Sequence, residues 1–112
     1  MDGLRFIGQE DFSLDEMRII NEISNKHFVK ISRMIDNPIL TIKMKKHGKI
    51  LGIIAKKVKY SFHLKVVGTD ILISASQADW NLARGLHGVF ENAISEIEHK
   101  IKKEKRSWTS NK

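Results

Sequence analysis

Residues 57–86, KVKYSFHLKVVGTDILISASQADWNLARGL, decide the fold, because they place two strands and the start of a long helix in direct succession. Val58, Tyr60, Phe62, Leu64 and Val66 alternate with Lys57, Lys59, Ser61, His63 and Lys65, the period-2 pattern of a half-buried strand with one apolar and one mostly cationic face. Gly68-Thr69-Asp70 reads as a turn into a second alternating strand through Ile71, Ile73 and Ala75. Ser76 followed by Asp79 resembles a capping box, so a helix is expected from about Gln77. Leu82, Leu86, Val89, Phe90, Ala93, Ile94, Ile97 and Ile101 then form a continuous apolar stripe that carries this helix to about Lys105.

Upstream, Leu40, Ile42 and Met44 alternate with Thr41, Lys43 and Lys45, a second strand with an apolar and a cationic face. Residues 46–56 break this pattern with two glycines and a small apolar cluster, and read as a hairpin connection or as extended strand arms. Before them, Asp36-Asn37-Pro38 ends a helix, since Pro38 lacks a donor and pushes Asn37 away from helical angles. That helix starts at the capping box Ser13–Glu16 and carries Leu14, Met17, Ile20, Ile23, Phe28, Ile31 and Ile35 at near-helical spacing, which predicts a span of about 14–35. Leu4 to Ile7 reads as a brief first strand with Leu4 and Phe6 toward the core. The order β-α-β-β-β-α predicts an α+β two-layer sandwich: a four-stranded, mostly antiparallel sheet with both helices on one face. One domain is expected over residues 1–106, with 107–112 a frayed tail.

Composition narrows the function classes. Hydrophobic residues at 41% and charged ones at 29% suit a water-soluble domain, and no apolar run approaches the ~20 residues of a membrane helix. The acidic start of the chain does not look like a secretory signal, and the absence of cysteine rules out disulfides, thiol catalysis and Cys-based zinc sites, so a cytoplasmic protein is expected. The net charge of +7 is unevenly spread. Residues 1–25 hold two basic and six acidic side chains, and 26–66 hold eleven basic ones against Asp36. Residues 67–98 hold only Arg84 against five acids, and 99–112 hold six basic side chains against Glu104. The middle block and the tail could bind a polyanion together if folding brings them to one side. Part of the charge order has a plainer cause: Asp15 and Glu22 precede Lys26, Lys30 and Arg33 along the first helix, as its dipole favours.

The remaining motifs favour packing over chemistry. The five histidines show no i, i+4 pair and no carboxylate at ligand spacing, so neither a metal nor another cofactor is expected. A His63, Asp70 and Ser74 set lacks the elbow and oxyanion loop of a nucleophilic site. Gly85-Leu86-His87-Gly88 has the form of a phosphate-gripping GxxG loop, but the unbroken stripe through Leu82, Leu86, Val89 and Phe90 places it inside a helix where another element approaches closely. Trp80, expected in the first helical turn, could cover the sheet edge or stack on a base, and Trp108 lies in the tail.

Taken together, Phe6-Ile7-Gly8, the Ser13-Leu14 helix start, Lys26 through Arg33, the strand pair 57–76, Ser74-Ala75-Ser76, Asp79-Trp80-x-Leu82-Ala83 and the His99-to-Arg106 basic cluster resemble the ribosome hibernation-promoting factor and ribosome-associated translation inhibitor family, also called sigma-54 modulation proteins. The resemblance implies a β-α-β-β-β-α domain that binds the small ribosomal subunit between head and body, overlapping the messenger and transfer-RNA sites. It implies silenced translation and protected idle ribosomes. By position it carries RNA-contacting roles to Lys26, Lys30 and Arg33 and to Lys100, Lys102, Lys103, Lys105 and Arg106. Strand alternation adds Lys43, Lys45, Lys57 and Lys59, and Arg84 completes the candidate set. The 46–56 connection looks longer and more apolar than in many relatives, and the resemblance is to the short forms of the family, not to the long forms whose further domain pairs ribosomes. The expected partner is ribosomal RNA of the small subunit, with no small-molecule substrate, no membrane and a monomer when free. Two alternatives stand beside this: a double-stranded-RNA-binding module, whose α-β-β-β-α core is similar, and a small enzyme with an unrecognised site.

Overall fold

The computed structural model describes residues 3–51 and 55–110, with side chains described over 3–48 and 58–102. The elements are β1 (Leu4–Ile7), α1 (Leu14–Ser32), β2 (Ile39–Leu51), β3 (Ala55–Val67), β4 (Leu72–Asp79) and α2 (Leu82–Ser110). The sheet has the order β1-β2-β3-β4. β1 pairs parallel to β2, whereas β2–β3 and β3–β4 are antiparallel. Two helices over one four-stranded sheet make an α+β fold of two layers, as the element order predicts.

Alternation divides the sheet into two faces. Leu40, Ile42 and Met44 of β2, Phe62, Leu64 and Val66 of β3, and Ile73 of β4 are all buried toward the helices. They meet Ile20, Ile23 and Ile31 of α1 and Leu86, Val89, Phe90, Ile94 and Ile97 of α2 in one cluster. At roughly 1.5–3 kcal/mol per fully buried large apolar side chain, this layer contact is the main stabilising term. Leu14 departs from expectation: it is 88% exposed. At about 100° per residue it lies more than a quarter turn around the helix from the stripe of Ile20, Ile23 and Ile31.

The helix ends show where local signals hold and where they yield. The Ser13 capping box is complete: Glu16 N donates to Ser13 Oγ at 3.1 Å and Ser13 N to Glu16 Oε1 at 2.9 Å. α1 ends at Ser32, earlier than the apolar spacing suggests, and a turn in which Ile35 N donates to Ile31 O at 2.9 Å keeps both isoleucines in the core. Asn37 then takes a left-handed φ of 48° ahead of Pro38. Gly8 has φ 93°, and a Cβ there would run into the Met44 carbonyl, so the chain leaving β1 requires glycine.

The start of the last helix is corrected by the structure. Ser76, Gln77, Ala78 and Asp79 belong to β4, in register with His63, Phe62, Ser61 and Tyr60. Four ladder positions along β3 outweigh a single local cap. The cap is instead Asn81, whose Oδ1 accepts from Arg84 N at 2.9 Å, so Trp80 lies in the connection and not in a first helical turn. α2 runs on to Ser110, beyond the expected end near Lys105 and through most of the segment expected to fray. Between β2 and β3, the strands continue to Leu51 and resume at Ala55, so the 46–56 segment is strand arms; residues 52–54 lie outside the described residues.

Candidate nucleic-acid interface

With both helices on one side, the other side of the sheet is open. Register arranges its side chains in rows. The first row is apolar: Ile39, Val67 and Leu72, all exposed. Next come Arg5, Thr41, Lys65 and Ser74, then Ile7, Lys43, His63 and Ser76, then Lys45, Ser61 and Ala78. His47 and Lys59 face each other in the last described row, and the Lys59 ammonium stands 5.5 Å from the centre of the Trp80 ring. Arg5, Lys43, Lys45, Lys59 and Lys65 thus share one face on which, among the described residues, there is no carboxylate. Nearby charges of one sign reinforce each other's potential, so the positive field over this face exceeds that of the same cations dispersed.

A hollow of about 390 Å³ opens in the middle of that face, lined by Lys43, Lys45, Ser61, His63 and Ser76. His63 Nδ1 and Ser76 Oγ lie 2.7 Å apart across β3 and β4. Ser74, the serine of the His63, Asp70 and Ser74 set, stands opposite Lys65 and not His63, Asp70 is in the β3–β4 turn, and among the described residues no carboxylate on the open face could orient His63. The hollow therefore suits an anion better than acyl transfer.

The other candidate cations with described side chains are elsewhere. Lys26, Lys30 and Arg33 are exposed on the helix layer, in the second half of α1 and just beyond its end, on the opposite side from Lys43, Lys45 and Lys59. They share that layer with Asp15, Glu22, Glu91, Glu96 and Glu98. Lys100 donates to the Leu72 carbonyl at 3.2 Å and Lys102 is exposed beyond it. The side chains of Lys57, Lys103, Lys105 and Arg106 lie outside the described residues. Arg84 is matched locally: its Nε and Nη2 donate to Asp79 Oδ2 and Oδ1 at 2.8 and 2.7 Å, a bidentate pair. Those bonds, with the Asn81 amide, hold the Asp79 carboxyl down to about 2. Folding thus splits the described candidates between two surfaces instead of collecting them on one.

Arg5 and Lys65 were not among the candidates, although the signal was present. Lys65 continues the alternation of Lys57 and Lys59, and Arg5 alternates with Leu4 and Phe6. Lys46, in the same basic block, has a structural task on the helix side. Its Nζ lies 2.6 Å from Glu16 Oε1, and Tyr60 Oη donates to Glu16 Oε2 at 3.1 Å, tying the hairpin to the start of α1. Burial pushes the Glu16 carboxyl up, but Lys46, the Ser13 amide and Tyr60 together outweigh it and hold it below its ordinary value.

The GxxG segment lies inside α2, as the stripe indicates. Gly85 N donates to Asn81 O at 3.0 Å, so its amide is committed to the helix. A Cβ at Gly85 would sit 3.1 Å from Asp79 Cβ and 3.2 Å from Phe62 Cε2, which is the close approach the motif serves. Between the helices, His27 Nε2 and His87 Nδ1 are 3.0 Å apart, and His27 stacks on Phe90 at 4.7 Å. No group of three metal-ligating side chains occurs among the described residues. No helix among them is long and apolar enough to cross a membrane. Neither a protein-family model nor a curated protein matches the chain.

Proposed function

We propose that this protein is a cytoplasmic, non-enzymatic RNA-binding factor that attaches to the small ribosomal subunit and suppresses translation, sparing idle ribosomes. The observation that carries the RNA-binding part is the open sheet face, with five cations and no carboxylate among the described residues. Phosphate backbones are the common cellular ligands of such a surface, and release of their counterions supplies the affinity. The ribosomal part rests on the family resemblance of the segments from Phe6-Ile7-Gly8 to Arg106 and on the β-α-β-β-β-α order that the resemblance implies. A duplex-RNA module is less well supported, because the cation in the first turn of α2, Arg84, is paired with Asp79.

Gradient sedimentation of small subunits tests the reading. The wild type should travel with the subunit at low salt and leave it as salt rises, and translation in a cell-free system should fall in proportion to the bound fraction. A protein that stays at the top of the gradient at low salt would refute the proposal.

A further inference from the structure

We infer that the helix-free face of the sheet holds a short single-stranded RNA segment, with phosphates along Lys43, Lys45, Lys59 and Lys65 and one base stacked at Trp80. This rests on the RNA-binding reading above and deepens it by naming the surface and the strandedness of the ligand.

The four lysines form a track. Lys59 and Lys65 are six residues apart on β3, about 20 Å at about 3.3 Å per residue, and Lys43 and Lys45 pair with β3 positions between them. That length suits roughly six nucleotides at the stacked rise of about 3.4 Å, and fewer when the strand is extended. Thr41, Ser61 and Ser74 add hydroxyls that can serve phosphate oxygens and ribose 2′-hydroxyls. The hollow beside Lys43, Lys45, His63 and Ser76 gives the track depth at its middle.

The two ends differ. At one, Trp80 is 56% exposed with the Lys59 ammonium 5.5 Å from its ring centre, an indole for a base beside a cation for its phosphate. At the other, the Ile39, Val67 and Leu72 row carries no charge, and the phosphate track stops. A duplex keeps its bases stacked inside and could use the lysines but not the indole. An anionic bilayer would need the apolar groups gathered on one penetrating edge, whereas Trp80 and the apolar row stand at opposite ends.

Labelled oligouridine, an RNA duplex of equal length and phosphatidylserine vesicles, each titrated at low salt, provide the test. The proteins are the wild type, Lys43→Glu with Lys45→Glu, Lys26→Glu with Lys30→Glu, and Trp80→Ala. The wild type should prefer the single strand. The sheet variant should lose more than about tenfold, and the helix variant, with the same change in net charge, less than about threefold. Trp80→Ala should lose at least about fivefold for the single strand and nothing for the duplex. Circular dichroism checks folding, and Lys43→Gln with Lys45→Gln replaces the glutamates if they unfold the sheet. Equal losses in the two charge variants, an unaffected Trp80→Ala, or binding to vesicles alone would overturn the inference. Subunit sedimentation of the same variants separates the two claims. Single-strand binding through the sheet without sedimentation refutes the ribosomal reading and leaves the surface standing. Sedimentation with oligouridine loss confined to the helix variant refutes the surface alone.

Discussion

Replacing Gly85 by Ala sets two effects of similar size against each other, and the surroundings decide the sign. An interior helical glycine costs about 1 kcal/mol relative to alanine, so the substitution gains that amount from propensity. The new Cβ, however, would lie 3.1 Å from Asp79 Cβ and 3.2 Å from Phe62 Cε2. Neither neighbour can give way easily: Phe62 is 2% exposed within the core, and Asp79 is held by the bidentate pair with Arg84. Overpacking of this kind costs about 1–3 kcal/mol, which leaves Gly85→Ala destabilised by about 1 kcal/mol. Gly88 provides the internal control, because a Cβ there meets the Gln77 side chain at 3.3 Å. That side chain can move at the loss of its 3.2 Å bond from Asn92, worth about 0.5–1 kcal/mol, so Gly88→Ala should be neutral or slightly stabilised. Urea denaturation with the slope compared between variants reads both. The reasoning fails if Gly85→Ala is as stable as Gly88→Ala, for then the sheet does not press on α2 as described.

Four further outcomes are expected. The four lysines of the track, Lys43, Lys45, Lys59 and Lys65, predict a log affinity against log salt slope of about −2.8 for a single strand, and Lys43→Gln with Lys45→Gln should flatten it by about 1.4; an unchanged slope would remove those lysines from the interface. Burial, then the neighbouring His87 and Lys30, hold the His27 imidazole below its ordinary value against the opposing pull of Glu91. The unfolded chain therefore binds more protons below about pH 6.5, stability should fall from pH 7.5 to 5.5, and His27→Leu should show a shallower fall in thermal melts. Ser24 Oγ is buried without a hydrogen-bond partner among the described residues, so Ser24→Ala should raise stability by about 1 kcal/mol, a result that a decrease in the denaturation midpoint would contradict. Arg84→Ala should leave RNA affinity within about twofold, since its charge is already matched by Asp79, and a tenfold loss in the same titration would place Arg84 back in the interface.

The strand alternations and the α2 stripe are legible along the chain because they repeat over a few residues. The alternation over 40–45 and 58–66, the α2 stripe and the Ser13 capping box each depend on neighbours a few residues away, and each formed as its period requires. The stripe alone was enough to place Gly85 and Gly88 inside a helix. The tertiary structure decided which distant groups meet. The Ser76–Asp79 cap yielded because β3 offered four ladder positions, a competitor 13 to 19 residues away that no local window contains. His27 and His87 each lie on an apolar helical stripe, and only helix packing brings them within 3.0 Å. The lysines show the division most clearly. One continuous basic block, 26–66, supplies Lys26 and Lys30 to the helix layer, Lys46 to the Glu16 bond, and Lys43, Lys45, Lys59 and Lys65 to the open face. Charge sums along a chain are local, whereas the field an RNA meets depends on layer and register, and those exist only once the sheet has formed.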